Sequence, residues 1–183
     1  MNQPAMTRTL AVDLRSSRLG FAVFEIPIQL LDWGKRAMWA DSCSTLIGQL
    51  IRKYGVSVVV IRGMRHGERR DTQRVRKGLR AIRTVAREGS TQVVALGEKQ
   101  LRNFFRQYDR YTKFEIDALI AVVFPSLTSI LPRPRKCFQP ENRRMSIFDA
   151  VALGVAFLAT TTGDESLRSL VDSAAGVFSP ASR

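Results

Sequence analysis

The stretch from Leu10 to Glu25, LAVDLRSSRLGFAVFE, constrains this chain more than any other. It reads as a short apolar strand over Thr9–Asp13, a polar turn over Leu14–Leu19, and a second strand over Gly20–Glu25 that is rich in Phe and Val. The first strand ends in an aspartate. A carboxylate at the end of a buried strand loses hydration that something must replace. A divalent metal, a basic side chain or the backbone N–H groups of the turn would each serve. Asp13 could also be a turn residue that satisfies its own loop.

The rest of the chain builds on this pair. Pro27 and Asp32 bracket a third strand, IQLLDW, close enough to the second to suggest an antiparallel meander. Leu46, Ile47, Leu50 and Ile51 fall at helical spacing within 42–54, with Ser42 or Ser44 as cap and Gly55 past the basic end. The β-branched run Val56–Ile61 has the pattern of a strand buried on both faces, as in a parallel sheet. A basic loop, RGMRHGERR, leads into a helix over Asp71–Glu88. There Val75, Leu79, Ile82 and Ala86 form an apolar stripe, and Arg76, Arg80, Arg83 and Arg87 run beside it. A fifth strand (Thr91–Leu96), a short helix (Glu98–Arg106) and a helix over Ile116–Phe124 follow, the last behind the capping-box residues Thr112 and Glu115. The segment SIFDAVALGVAFLA, from Ser146, is apolar almost all round and therefore a buried helix. We expect a loose leader over 1–8, one domain over 9–160 with a Pro/Arg-rich loop at 125–144, and a tail over 161–183 that need not be ordered. The order of elements is that of an α/β layer fold with a mixed sheet.

Charge narrows the class of partner. The chain has 29 Lys+Arg against 16 Asp+Glu, a net +13. The excess is regional: 15 basic and 5 acidic residues lie between Arg62 and Lys113, and 5 and 1 between Arg133 and Arg144, whereas the remainder is close to neutral. A concentrated excess favours a binding face for a polyanion, most simply nucleic acid, over general solubility. Arginine suits phosphate through its planar fork of donors. Phe104, Phe105, Tyr108 and Tyr111 interleave with Arg102, Arg106 and Arg110; some could stack on unpaired bases, while core packing better suits the two phenylalanines. Two cysteines and one histidine, His66, are too few for a zinc site or a disulfide scaffold. With no apolar signal region and no run long enough to span a bilayer, the expected setting is intracellular, cytoplasmic and soluble, with no membrane partner.

The order of elements, with Asp13 ending strand one, Gly20 opening strand two and Asp149 in a late buried helix, resembles the RuvC-type Holliday junction resolvases of the ribonuclease H-like fold. The resemblance spans roughly Thr9 to Ala159 and rests on LAVDLRSSRLGFAVFE, VSVVVIRG, TKFEIDALI and SIFDAVALGVAF. It implies a five-stranded mixed sheet, strands 1–3 antiparallel and the others parallel, flanked by helices. It also implies cleavage of branched DNA by a homodimer using Mg²⁺ or Mn²⁺. Two such cations ~3.5–4 Å apart bind the attacking and leaving oxygens through carboxylate ligands.

Carried onto this chain, the resemblance makes Asp13 the first carboxylate and Asp149 the later acid of the helical pair, the two candidate metal ligands, with Lys113 near the scissile phosphate. Ser146 stands where the earlier helical aspartate belongs, and Arg62 where a glutamate ends the fourth strand. An arginine beside two acids repels a cation and neutralises the acids itself. Glu68 is a distant substitute for the missing glutamate, Asp149 could instead close its helix start with Ser146, and Arg62 could be a simple exposed strand end. The leading expectation is a nucleic-acid-binding protein, DNA before RNA, with an eroded nuclease centre. Phosphates would be gripped by Arg65, Arg69, Arg70, Arg74, Arg76, Lys77, Arg80 and Lys113, with Arg133, Arg135, Arg143 and Arg144. The alternatives are a working Mg²⁺- or Mn²⁺-dependent endonuclease and a structural or assembly subunit using the same basic face.

Overall fold

The structure, a computed structural model, describes residues 8–37, 40–63, 73–134, 144–161 and 165–177. Five strands form one mixed sheet in the order β3-β2-β1-β4-β5, and they are β1 (Arg8–Leu14), β2 (Arg18–Glu25), β3 (Gln29–Ala37), β4 (Val58–Gly63) and β5 (Gln92–Gly97). The first three form an antiparallel meander, and β4 and β5 run parallel to β1. The α/β mixed-sheet fold expected from the sequence is the observed one.

The period of two along each strand sends alternate side chains to two separate cores. Leu10, Val12, Leu19, Phe21, Val59 and Ile61 face one side, where α1 (Ala40–Tyr54) and α2 (Gln73–Glu88) cover them. Ala11, Ala22, Phe24 and Val60 face the other, beneath α5 (Met145–Thr161). The layer around α5 is completed by α3 (Glu98–Arg106), α4 (Lys113–Val123) and a 3₁₀ turn over Pro125–Ile130. The amphipathic α2 buries Val75, Leu79, Ile82 and Ala86, whereas α5 is buried from Ser146 to Ala159, as its unbroken apolar run demands.

Gly20 permits the closest approach between sheet and helix. A Cβ there would lie 1.8 Å from the Ser146 carbonyl oxygen. The first turn of α5 therefore rests directly on the β1–β2 ladder, where Gly20 is paired with Asp13.

Two segments depart from expectation. Residues 161–183, expected as a tail, contain α6 (Glu165–Val177), whose Leu167, Val171 and Ala174 are buried in the α5 core. These apolar positions recur at helical spacing, but small and polar residues between them mask the stripe. The first part of the expected 125–144 loop is likewise ordered by Leu127, which is fully buried. No helix among the described residues is long and apolar enough to cross a membrane.

Candidate functional site

The same alternation places the site. Asp13 lies two residues beyond Ala11, and Arg62 two beyond Val60, so both side chains enter the α5 layer at one end of the sheet. Asp149 comes down from the second turn of α5 to meet them. Asp13 is fully buried, Arg62 and Asp149 nearly so.

Two arginines tie the acids together. Arg62 Nε lies 3.1 Å from Asp13 Oδ1, and its Nη2 lies 3.5 Å from Asp149 Oδ1. The Nε–Oδ1 contact is an ion pair without the alignment of a hydrogen bond. Arg62 Nη1 also donates to Glu98 Oε2 at 3.0 Å, where α3 leaves β5. From the β1–β2 turn, Arg15 Nε donates to Asp13 Oδ2 at 3.0 Å, and its Nη2 donates to Asp149 Oδ2. Lys113, the first residue of α4, reaches both Asp149 oxygens at 3.3 Å. Its charge opposes the helix dipole, and Asp149 compensates it. Among the described residues, Asp13, Asp149 and Glu98 thus face Arg15, Arg62 and Lys113, and the exposed Arg102 pairs with the other oxygen of Glu98 at 3.0 Å.

Electrostatics follow from burial. Desolvation pushes the Asp13 carboxyl above its usual range and nearby Asp149 adds to this, while Arg62 and Arg15 pull the other way. Burial disfavours the charge on Arg62, but Asp13, Asp149 and Glu98 outweigh it and hold the guanidinium more firmly protonated.

The metals that the fold family implies do not fit this donor set. Among the described residues no group of three or more His, Cys, Asp or Glu side chains could hold an ion. Both aspartates turn their oxygens to guanidiniums, and Arg62, near the end of β4, is itself a fixed cation. Hard divalent ions need several oxygen ligands converging on one point, which this arrangement lacks.

The sequence reading named Asp13, Asp149, Arg62, Ser146 and Lys113, and the fold brings all five to one end of the sheet. It overlooked Arg15 and Glu98. Arg15 is two residues from Asp13, so a basic partner for the buried acid was available in the turn itself. Glu98 had no local signal, because it reaches the centre only through the β4–β5 pairing. Ser146 lies inside the first turn of α5, one residue past its start, and is buried under the Gly20 contact.

Of the proposed phosphate contacts, Arg74, Arg76, Lys77 and Arg80 lie exposed along α2, and Arg133 and Arg144 are exposed as well. Arg74 donates to the Ser16 carbonyl at 3.2 Å, which brings the start of α2 up to the β1–β2 turn. Arg65, His66, Glu68, Arg69, Arg70, Arg135 and Arg143 lie outside the described residues. Phe104 and Phe105 are buried against each other at 5.0 Å between centroids, while Tyr111 is exposed on the rim of a cleft that Arg62, Glu98, Lys113 and Asp149 also line.

No family model matches the sequence, and no characterised protein matches it by sequence. Solved structures do. The chain superposes on Thermus thermophilus RuvC with a TM-score of 0.63 at 15% identity, over 85% of this chain and 97% of that one. T. thermophilus RuvC in complex with Holliday junction substrate gives 0.59 at 15% identity, over 86% and 97%. The yeast mitochondrial Holliday junction resolvase gives 0.50 at 12% identity, over 93% and 84%. This chain therefore has the ribonuclease H-like fold of the RuvC-type Holliday junction resolvases.

Proposed function

We propose that this protein binds branched or otherwise structured DNA on a resolvase scaffold whose nuclease centre has become a closed ion-pair cluster. One observation carries the reading: Arg62 contacts both Asp13 and Asp149, the two acids that a metal-dependent centre would need open. Arg15 doubles the lock. A buried pair of carboxylates held by two guanidiniums is neutralised without a metal ion, and a metal would have to displace both arginines.

The exposed arginines of α2 support the binding half of the proposal. A one-signed stripe repels itself, and a polyanion relieves that repulsion. Affinity would then come mainly from phosphate contacts and fall steeply with salt. A likeness to a resolvase solved on its junction favours DNA, and a four-way form of it, as the first substrate to try. Pairing of the chain with itself, as the resemblance implies, belongs to the same proposal.

The test uses the whole chain with four-way junction, duplex and single-stranded DNA. Each is incubated with Mg²⁺, with Mn²⁺ or with EDTA, at two salt concentrations. The expected result is tight, salt-sensitive, metal-independent binding of the junction without cutting. Metal-dependent cutting that Asp13→Asn abolishes would overturn the closed-centre reading. Absence of binding to all three DNA forms at low salt would overturn the DNA-binding one.

A further inference from the structure

The acids of the closed centre are already matched by cations, so it has little attraction for a phosphate of its own. Beside it, at residues outside the two basic regions that stand out in the sequence, sits charge that no carboxylate among the described residues compensates. A cleft of about 450 Å³ opens where β2 begins and β3 ends, lined by Ser17, Arg18, Lys35, Arg36 and Ala37. The register pairs Arg18 with Ala37 and Gly20 with Lys35, which makes Arg18 and Lys35 diagonal neighbours on one sheet face. Such neighbours are roughly 7–8 Å apart, within reach of one another's long side chains. Like charges at that separation repel, less strongly than a directly opposed pair. Among the described residues no carboxylate pairs with Arg18, Lys35 or Arg36, and Arg36 donates only to the neighbouring Lys35 carbonyl, at 3.3 Å.

Alternation gives the cleft its orientation. Arg18 and Lys35 share a face with Gly20 and Ala22, the face that carries Asp13 and receives α5. Arg74 closes the gap on the far side by holding the Ser16 carbonyl. Cations therefore flank the centre along one end of the sheet, with Lys113 on the α4 side and Arg18 and Lys35 on the β3 side, while Arg36, opposite Leu19, lines the cleft from the other face.

We infer that the β2–β3 cleft is a phosphodiester-binding site that holds a nucleic-acid backbone crossing the closed centre from Lys113 toward Arg18 and Lys35. The inference rests on the DNA-binding proposal and adds to it the path of the strand. Its rival is protective: lysine on an edge strand such as β3 also blocks edge-to-edge pairing between copies. Arg18 lies on β2, inside the sheet, where that role has no use.

The experiment separates the two. Full-length Arg18→Gln/Lys35→Gln is compared with wild type for binding to duplex and four-way-junction DNA across a salt series, with sedimentation velocity and thermal melting alongside. Removing one phosphate-binding cation lowers the log–log salt slope by roughly 1. The double variant should lose about 2 in slope and bind about tenfold or more weakly at low salt, while staying folded and unassociated. The control Arg52→Gln/Lys53→Gln makes the same change in charge at the other end of the sheet, in the last turn of α1, and should keep the wild-type slope. An unchanged slope in the cleft variant, with or without self-association, overturns the inference and leaves the DNA-binding proposal standing. No binding by wild type overturns both.

Discussion

Arg62 shows how one residue can change what a buried pocket does. It is the cation at the meeting point of Asp13, Asp149 and Glu98, and each of these acids depends on it. Removing one partner of a buried ion pair leaves an uncompensated charge, typically at a cost of ~3–5 kcal/mol. Arg62→Ala should therefore destabilise the protein by about that amount at pH 7, measured by urea unfolding. The loss should shrink toward pH 4. Asp13 has a carboxyl raised on folding, so its own contribution is fullest below the unfolded value of ~3.9 and is lost as pH rises toward the folded one. Without Arg62 that carboxyl rises further and the decline steepens. Equal destabilisation at both pH values would mean that Arg62 acts by packing alone.

Single elements have their own tests, and α4 offers the clearest. Its first residue, Lys113, is aimed at Asp149, so the start of the helix must be fixed for the centre to close. Thr112 caps it by accepting from the Glu115 N–H at 3.3 Å, and Glu115 accepts in return from the Thr112 and Tyr111 N–H groups at 2.8 and 2.9 Å. Thr112→Ala should cost about 1 kcal/mol. The backbone N–H groups of Thr112 and Tyr111 hold the Glu115 carboxyl below its usual range. Its contribution is present above an unfolded value of ~4.3 and fades as pH falls through the lowered folded one. Glu115→Gln should thus weaken the protein at pH 7 and be neutral near pH 2, as read from melting temperatures.

Taken whole, the described residues form three layers, with the sheet between two separate cores. The layer around α5 extends to α6, where Leu167 is fully buried. Large-to-small changes at such sites cost ~2–5 kcal/mol through lost burial and the cavity left behind. Leu167→Ala should fall in that range by urea unfolding. A change near zero would mean that α6 is dispensable to the domain.

Much of this was legible in the chain because the signals were local. The two-residue period of Leu10–Val12, the β-branched run of β4, the apolar stripe of α2 and the all-round apolarity of α5 each follow from one segment's own burial. The aspartate near the end of β1 and the basic excess of α2 could be read in the same way. Other features have no local cause. The pairing of Arg62 with two acids depends on parallel strands and a helix that join residues far apart in sequence. The burial of α6 depends on a surface made by α4 and α5, and the β2–β3 cleft on a cross-strand register that brings Arg18 beside Lys35. A sequence states what each stretch must bury; which charges then stand face to face is decided when the chain closes on itself.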